Sequence, residues 1–81
     1  MIRHSDISDR DLRDRIRDLS VQFGGHSGLK IYGRLDCKSG RRMKRENRVF
    51  FESEDEAAGE GYRPCGNCMR EAYKIWRALK Q

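Results

Sequence analysis

The stretch Gly61-Tyr62-Arg63-Pro64-Cys65-Gly66-Asn67-Cys68 decides how the chain is read. Two cysteines separated by two residues can turn both sulfurs toward one ion, and Gly66 and Asn67 suit the tight turn this requires. Behind the pair, Met69, Ala72, Tyr73, Trp76 and Leu79 recur at helical spacing. The cysteines therefore stand where a helix begins, and the exposed N–H groups and positive dipole end there favour thiolate, the form that binds zinc. Pro64 keeps the residue before it extended, so Tyr62 to Cys65 reads as a brief extended piece. The chain has three cysteines in all. The third, Cys37, follows a predicted strand and can fold back onto the pair. A redox dithiol at Cys65 and Cys68, with Cys37 an inert thiol, stays open beside the zinc reading.

Working upstream, Gly59-Glu60-Gly61 ends a short helix that starts at a capping box of Ser53 and Glu56. Before it, Arg48-Val49-Phe50-Phe51-Glu52 is rich in β-branched and aromatic residues and predicts a strand. Leu29 to Leu35 alternates, with Leu29, Ile31 and Leu35 on one side, and predicts another strand in which Gly33 marks a bulge or a close approach. Gly24-Gly25-His26-Ser27-Gly28 reads as a flexible connector. At the front, Ser8 caps an amphipathic helix expected from Asp9 to Gln22, with Leu12, Ile16, Leu19 and Phe23 on its inner stripe and Gly24-Gly25 as terminator. The order predicts an α+β fold. A small sheet packs with helices around the cysteine knuckle, in a single domain over residues 1–81 with an extra N-terminal helix over 1–23 and a metal-binding core over 29–80.

The 81 residues suffice for one domain, and a core this small benefits from a further staple. Charged residues make up 38% of the chain against 36% hydrophobic, but the apolar residues fall into periodic groups, as in a folded core. Neither a leader nor a membrane-length apolar run is visible, and an odd cysteine count is a poor disulfide framework, so the expected setting is cytoplasmic and the expected state a monomer. No paired histidine and carboxylate at motif spacing, phosphate-cradling Walker loop or serine elbow occurs. The chain is thus read as a binding module rather than an enzyme, with no small-molecule substrate evident.

Tetrahedral zinc takes four ligands, and the sequence offers Cys37, Cys65 and Cys68. His26 is the first candidate for the fourth, with His4 and Asp36 behind it; a water, or no metal at all, are the other outcomes. Between Cys37 and Arg48, six cations (Lys38, Arg41, Arg42, Lys44, Arg45 and Arg48) face one acid, Glu46, so this segment alone matches the chain's net charge of +5. Such a cluster can neutralise nucleic-acid phosphates and release their counterions. It can equally be a solvated loop that pairs with local acids.

Several blocks together resemble the metal-binding domain of Ada, the bacterial DNA alkylation-repair and transcription-regulating protein. They are Cys37, Arg45-Glu46-Asn47, Val49-Phe50-Phe51, the helix start from Glu54 to Ala58, and above all Gly61 to Cys68. The resemblance spans roughly residues 30 to 70 and leaves the N-terminal helix outside. It implies one zinc held by four cysteines on a small α/β domain, with one of the first pair accepting a methyl group from a DNA phosphotriester. The last pair corresponds to Cys65 and Cys68, and the later member of the first pair falls within one residue of Cys37. The methyl-accepting member falls near Gly33 or Arg34, where this chain has no thiol. The resemblance thus implies zinc and a DNA partner, and it leaves Cys37 as the only residue through which a methyl-accepting role could run.

Overall fold

The computed structural model describes residues 1–36 and 44–79. Among these, five strands form one mixed sheet and three helices accompany it, giving the α+β fold read from the sequence. The strands are β1 (Ile2–Arg3), β2 (Phe23–His26), β3 (Ile31–Arg34), β4 (Arg48–Phe51) and β5 (Arg63–Pro64). The helices are α1 (Asp9–Arg17), α2 (Glu54–Gly59) and α3 (Arg70–Leu79). The strand order is β1-β4-β2-β3-β5. All neighbours are antiparallel except β3 and β5, which run parallel. Pro64 sits in the edge strand β5, where its missing N–H costs no ladder bond.

Local signals set several boundaries as expected. The Ser8 hydroxyl accepts the Asp11 N–H at 3.1 Å and starts α1, and the Ser53 hydroxyl accepts the Glu56 N–H at 3.1 Å and starts α2. Gly61, at φ +85°, carries the left-handed residue after α2.

The front of the chain differs from the sequence reading. Helix α1 stops at Arg17, because Asp18 Oδ1 accepts both the N–H and the hydroxyl of Ser20 (2.9 and 2.6 Å) and draws the backbone out of the helix. Leu19 then takes the left-handed conformation at φ +67° and lies 64% exposed, while Val21, outside the expected apolar stripe, is buried. Gly24 and Gly25 do not terminate a helix, and the Gly24–Gly28 stretch is not a flexible connector. Gly24 to His26 lie in β2, the middle strand of the sheet, and Ser27 and Gly28 begin the turn to β3, with the Ser27 N–H donating to Asn47 O at 2.9 Å.

Packing explains why glycine is used in a central strand. A Cβ on Gly25 would sit 2.9 Å from Ile31 O and 3.1 Å from the Phe51 ring, so the aromatic core occupies the room a side chain would need. That core joins Tyr32, Val49, Phe51, Ala57 and Tyr62. Its rings meet edge to face: Phe23 on Tyr32 at 6.0 Å, Tyr32 on Phe51 at 6.5 Å, and Phe51 on Tyr62 at 4.9 Å. Leu29, expected on the inner side of a strand, instead occupies the β2–β3 turn and is 65% exposed. Leu79, on the apolar spacing of the last helix, is exposed on α3, as is Ile75. No helix among the described residues is long and apolar enough to cross a membrane.

Candidate metal centre and adjoining cleft

Strand alternation gives the sheet two unlike faces. Phe23, Gly25, Tyr32, Val49 and Phe51 share the face that carries the aromatic core. Gly24, His26, Ile31, Gly33, Arg48 and Phe50 share the other, and Gly24 is paired directly with Gly33. Two glycines opposite one another leave a trench in this second face, open at Gly24, where an added Cβ would meet nothing closer than 3.7 Å, and filled at Gly33 by the cysteine side chains.

The cysteine loop closes one end of that trench. Strand β5 aligns it on β3, since Arg63 N–H donates to Lys30 O (2.8 Å) and Cys65 N–H donates to Tyr32 O (2.7 Å). Beyond Cys65 the chain turns: Met69 N–H donates to Cys65 O at 3.1 Å, Tyr73 N–H to Met69 O at 2.9 Å, and α3 follows from Arg70. The expected helix begins a few residues later than its apolar spacing suggested, because Cys65 to Cys68 form the turn rather than its first residues.

Both sulfurs receive backbone donors. Arg34 N–H donates to Cys68 Sγ at 3.3 Å, and Asn67 N–H donates to Cys65 Sγ at 3.4 Å. Gly33 fits against the pair so closely that a Cβ there would lie 2.7 Å from Cys68 Sγ and 3.1 Å from Cys65 Cβ. The glycine that interrupts the β3 pattern thus marks a close approach, and what approaches is the cysteine pair.

These features suit a thiolate-bound cation: two soft sulfur donors from one turn, backbone N–H groups aimed at both, and a glycine cradle shaped to them. Cys37 lies outside the described residues, within 37–43. His26 serves the hairpin, its Nδ1 accepting the N–H groups of Gly28 and Leu29, each at 3.1 Å. The proton of a neutral His26 ring therefore sits on Nε2, and metal binding through Nε2 would break both turn bonds. His4 packs its ring edge-on against Phe50 at 5.2 Å, and Asp36 pairs with Arg34 at 3.3 Å. Among the described residues no three His, Cys, Asp or Glu side chains gather into a metal-binding group.

The basic segment divides. Lys38, Arg41 and Arg42 lie outside the described residues, and Lys44 is exposed. Arg45 points back to the front of the chain, donating to Ile7 O (2.6 Å), His4 O (3.3 Å) and Asp9 Oδ1 (3.3 Å). Arg48 is half-buried over the Phe50 ring at 5.2 Å, and burial holds its pKa below the ordinary arginine value.

Arg48 also borders a cleft of about 410 Å³ above the glycine trench. It is lined by Ile31, Arg63, Cys65 and Tyr73 among others, His26 included. Arg63 lies over the rings of Tyr73 (5.2 Å) and Trp76 (5.7 Å), which stack on each other at 5.9 Å. Sequence reading missed this cleft. Its basic residues come from separate elements, and its floor includes Gly24, whose pairing with Gly33 depends on the register of β2 against β3.

Comparison with known proteins agrees with the thiolate geometry. The chain matches the metal binding domain of Ada over residues 13–71, well over half its length. The match reaches further forward than the blocks noted in the sequence, taking in the end of α1 and the whole of β2. An uncharacterized protein of Methanocaldococcus jannaschii is 42% identical over 46 residues, covering 57% of this chain and 23% of that protein. The chain thus spans less than a quarter of that relative's length. No solved structure gives a significant match. By the extent of the family match, the chain belongs to the family of the metal binding domain of Ada.

Proposed function

We propose that this chain is a zinc-binding module whose metal is held by Cys65 and Cys68 together with Cys37, and that it contacts nucleic-acid phosphates through the segment following Cys37. The observation that carries the metal half is the seating of Gly33 against Cys65 and Cys68 with a backbone N–H on each sulfur. Bound there, zinc would tie β3 to the start of α3 and staple a domain with a small aromatic core.

Gly33 or Arg34 stands where the family resemblance puts the methyl-accepting thiol. Neither residue supplies a thiolate ligand or nucleophile, which favours a binding role over methyl transfer. The nucleic-acid half is supported by the charge of the segment, with Lys38, Arg41, Arg42, Lys44 and Arg48 as its contacts. Arg45 contributes less, because its guanidinium is engaged by Ile7, His4 and Asp9.

Zinc quantified per chain tests the first half, and fluorescence anisotropy with DNA and RNA at low and physiological salt tests the second. One zinc per chain and salt-dependent binding are expected. Absence of zinc would remove the metal reading, and absence of binding at both salt concentrations would remove the nucleic-acid reading.

A further inference from the structure

We propose that the cleft beside Gly24 is a binding pocket for a nucleoside phosphate, with Arg48 and Arg63 holding the phosphate and the base lying over Gly24 against Ile31 and Tyr73. The proposal goes beyond the metal and basic-segment reading: it shares Arg48 with the basic segment, but Arg63 and the rest of the pocket come from the sheet and the start of α3.

Charge is the first argument. No aspartate or glutamate is among the described residues that line the cleft, and among the described residues neither Arg48 nor Arg63 forms an ion pair with one. Arg48 is half-buried, with the Phe50 ring beneath it. Arg63 is held over Tyr73 and Trp76 and donates to Pro64 O at 3.1 Å. A partly buried guanidinium with no acid beside it gains most from an anion, and its planar fork matches phosphate oxygens.

Shape is the second. A cleft of about 410 Å³ is within the range of small-molecule sites. The absent Cβ of Gly24 leaves room next to Gly33, whose own face is taken by Cys65 and Cys68; Ile31 and Tyr73 give apolar walls, and His26 also lines the cleft. A phosphate alone would leave the apolar part unused, and an uncharged ring would leave the arginines unmatched.

The test is titration of the 81-residue chain with adenosine monophosphate, adenosine, inorganic phosphate and a short single-stranded oligonucleotide, followed by amide NMR shifts at Gly24, Gly33 and Gly66. The monophosphate is expected to shift these amides, with adenosine and phosphate each weaker by roughly tenfold or more. Gly24→Leu fills the cleft. A Cβ at Gly24 meets only ordinary contacts, 3.7 Å to Leu35 and 3.9 Å to Arg48 Nε, so the variant is expected to fold and to retain its metal while losing the nucleotide. Arg63→Gln is expected to weaken the nucleotide by roughly tenfold. If oligonucleotide binding is lost with Gly24→Leu, the pocket takes a nucleotide of a strand; if it survives, the pocket takes the free nucleotide. No shift at these glycines with either ligand at millimolar concentration, equal binding of phosphate alone, or unchanged affinity in a folded Gly24→Leu chain would overturn the proposal. Zinc content and anisotropy on the same samples report separately on the metal and basic-segment reading.

Discussion

Gly33 and Cys68 are fitted to each other: the space a Cβ would take on Gly33 lies 2.7 Å from Cys68 Sγ, and the next backbone N–H, from Arg34, donates to that sulfur at 3.3 Å. Gly33→Ala therefore pushes apart β3 and the cysteine loop. The expected cost is about 1–3 kcal/mol of stability, with weaker zinc retention against a chelator. Thermal unfolding and chelator competition measure the two.

The paired glycines of β2 should respond in opposite ways. Gly25→Ala places its methyl 2.9 Å from Ile31 O and 3.1 Å from Phe51, and is expected to destabilise by about 1–3 kcal/mol. Gly24→Ala meets nothing closer than 3.7 Å and restricts the unfolded chain, so it is expected to be neutral or stabilising by up to about 1 kcal/mol. Urea unfolding of the two variants side by side makes the comparison.

Arg45 and Arg48 come from the same basic run but are expected to behave differently. Arg45→Gln removes the fork that holds Ile7, His4 and Asp9, so the front of the chain should exchange its amide hydrogens faster while oligonucleotide affinity changes little. Arg48→Gln should weaken oligonucleotide binding and reduce its salt slope by about one. Hydrogen exchange and anisotropy across a salt series separate these outcomes.

Acid should weaken the fold through His4. Burial, then the charges of Arg45 and Arg48, lower its pKa from 6.5; Asp9, with Oδ1 3.6 Å from Nε2, opposes this only partly. The folded chain prefers the neutral ring, so the unfolded chain takes up its proton at higher pH. Stability is full above pH 6.5 and is lost as the pH falls from 6.5 toward the lowered value. At the alkaline end, burial and then Glu54 push Tyr32 from 10.0 up to about 12, so stability declines between those values as the unfolded tyrosine ionises first. Melting temperature against pH, with a His4→Phe variant expected to flatten the acid limb, checks the assignment.

How much of this was legible in the sequence depends on how far each signal acts. Ser8 and Ser53 each cap a helix within their own neighbourhood, and Gly61 supplies its positive φ alone, so each was readable in place. Val49, Phe50 and Phe51 announced their strand by composition. Gly24 and Gly25 resemble a helix terminator or a loop by any local rule, and only the Phe51 ring and the β3 backbone packed against Gly25 explain a strand there. Leu19 continued the apolar period of α1, but the competing bonds between Asp18 and Ser20 ended the helix first. The knuckle was readable from Cys65 and Cys68. Its cradle needed β3 and β5 to be laid in parallel, and His26, a plausible ligand by residue type, proved to cap its own hairpin.

The most direct test is native mass spectrometry of the chain purified without added metal or chelator, with zinc counted per chain and the same measurement made on Cys65→Ser, Cys68→Ser, Cys37→Ser and His26→Gln. One zinc per chain is expected, lost from each cysteine variant and retained by His26→Gln. A chain that carries no zinc and takes none up on titration, or cysteine variants that retain it, would contradict the thiolate site.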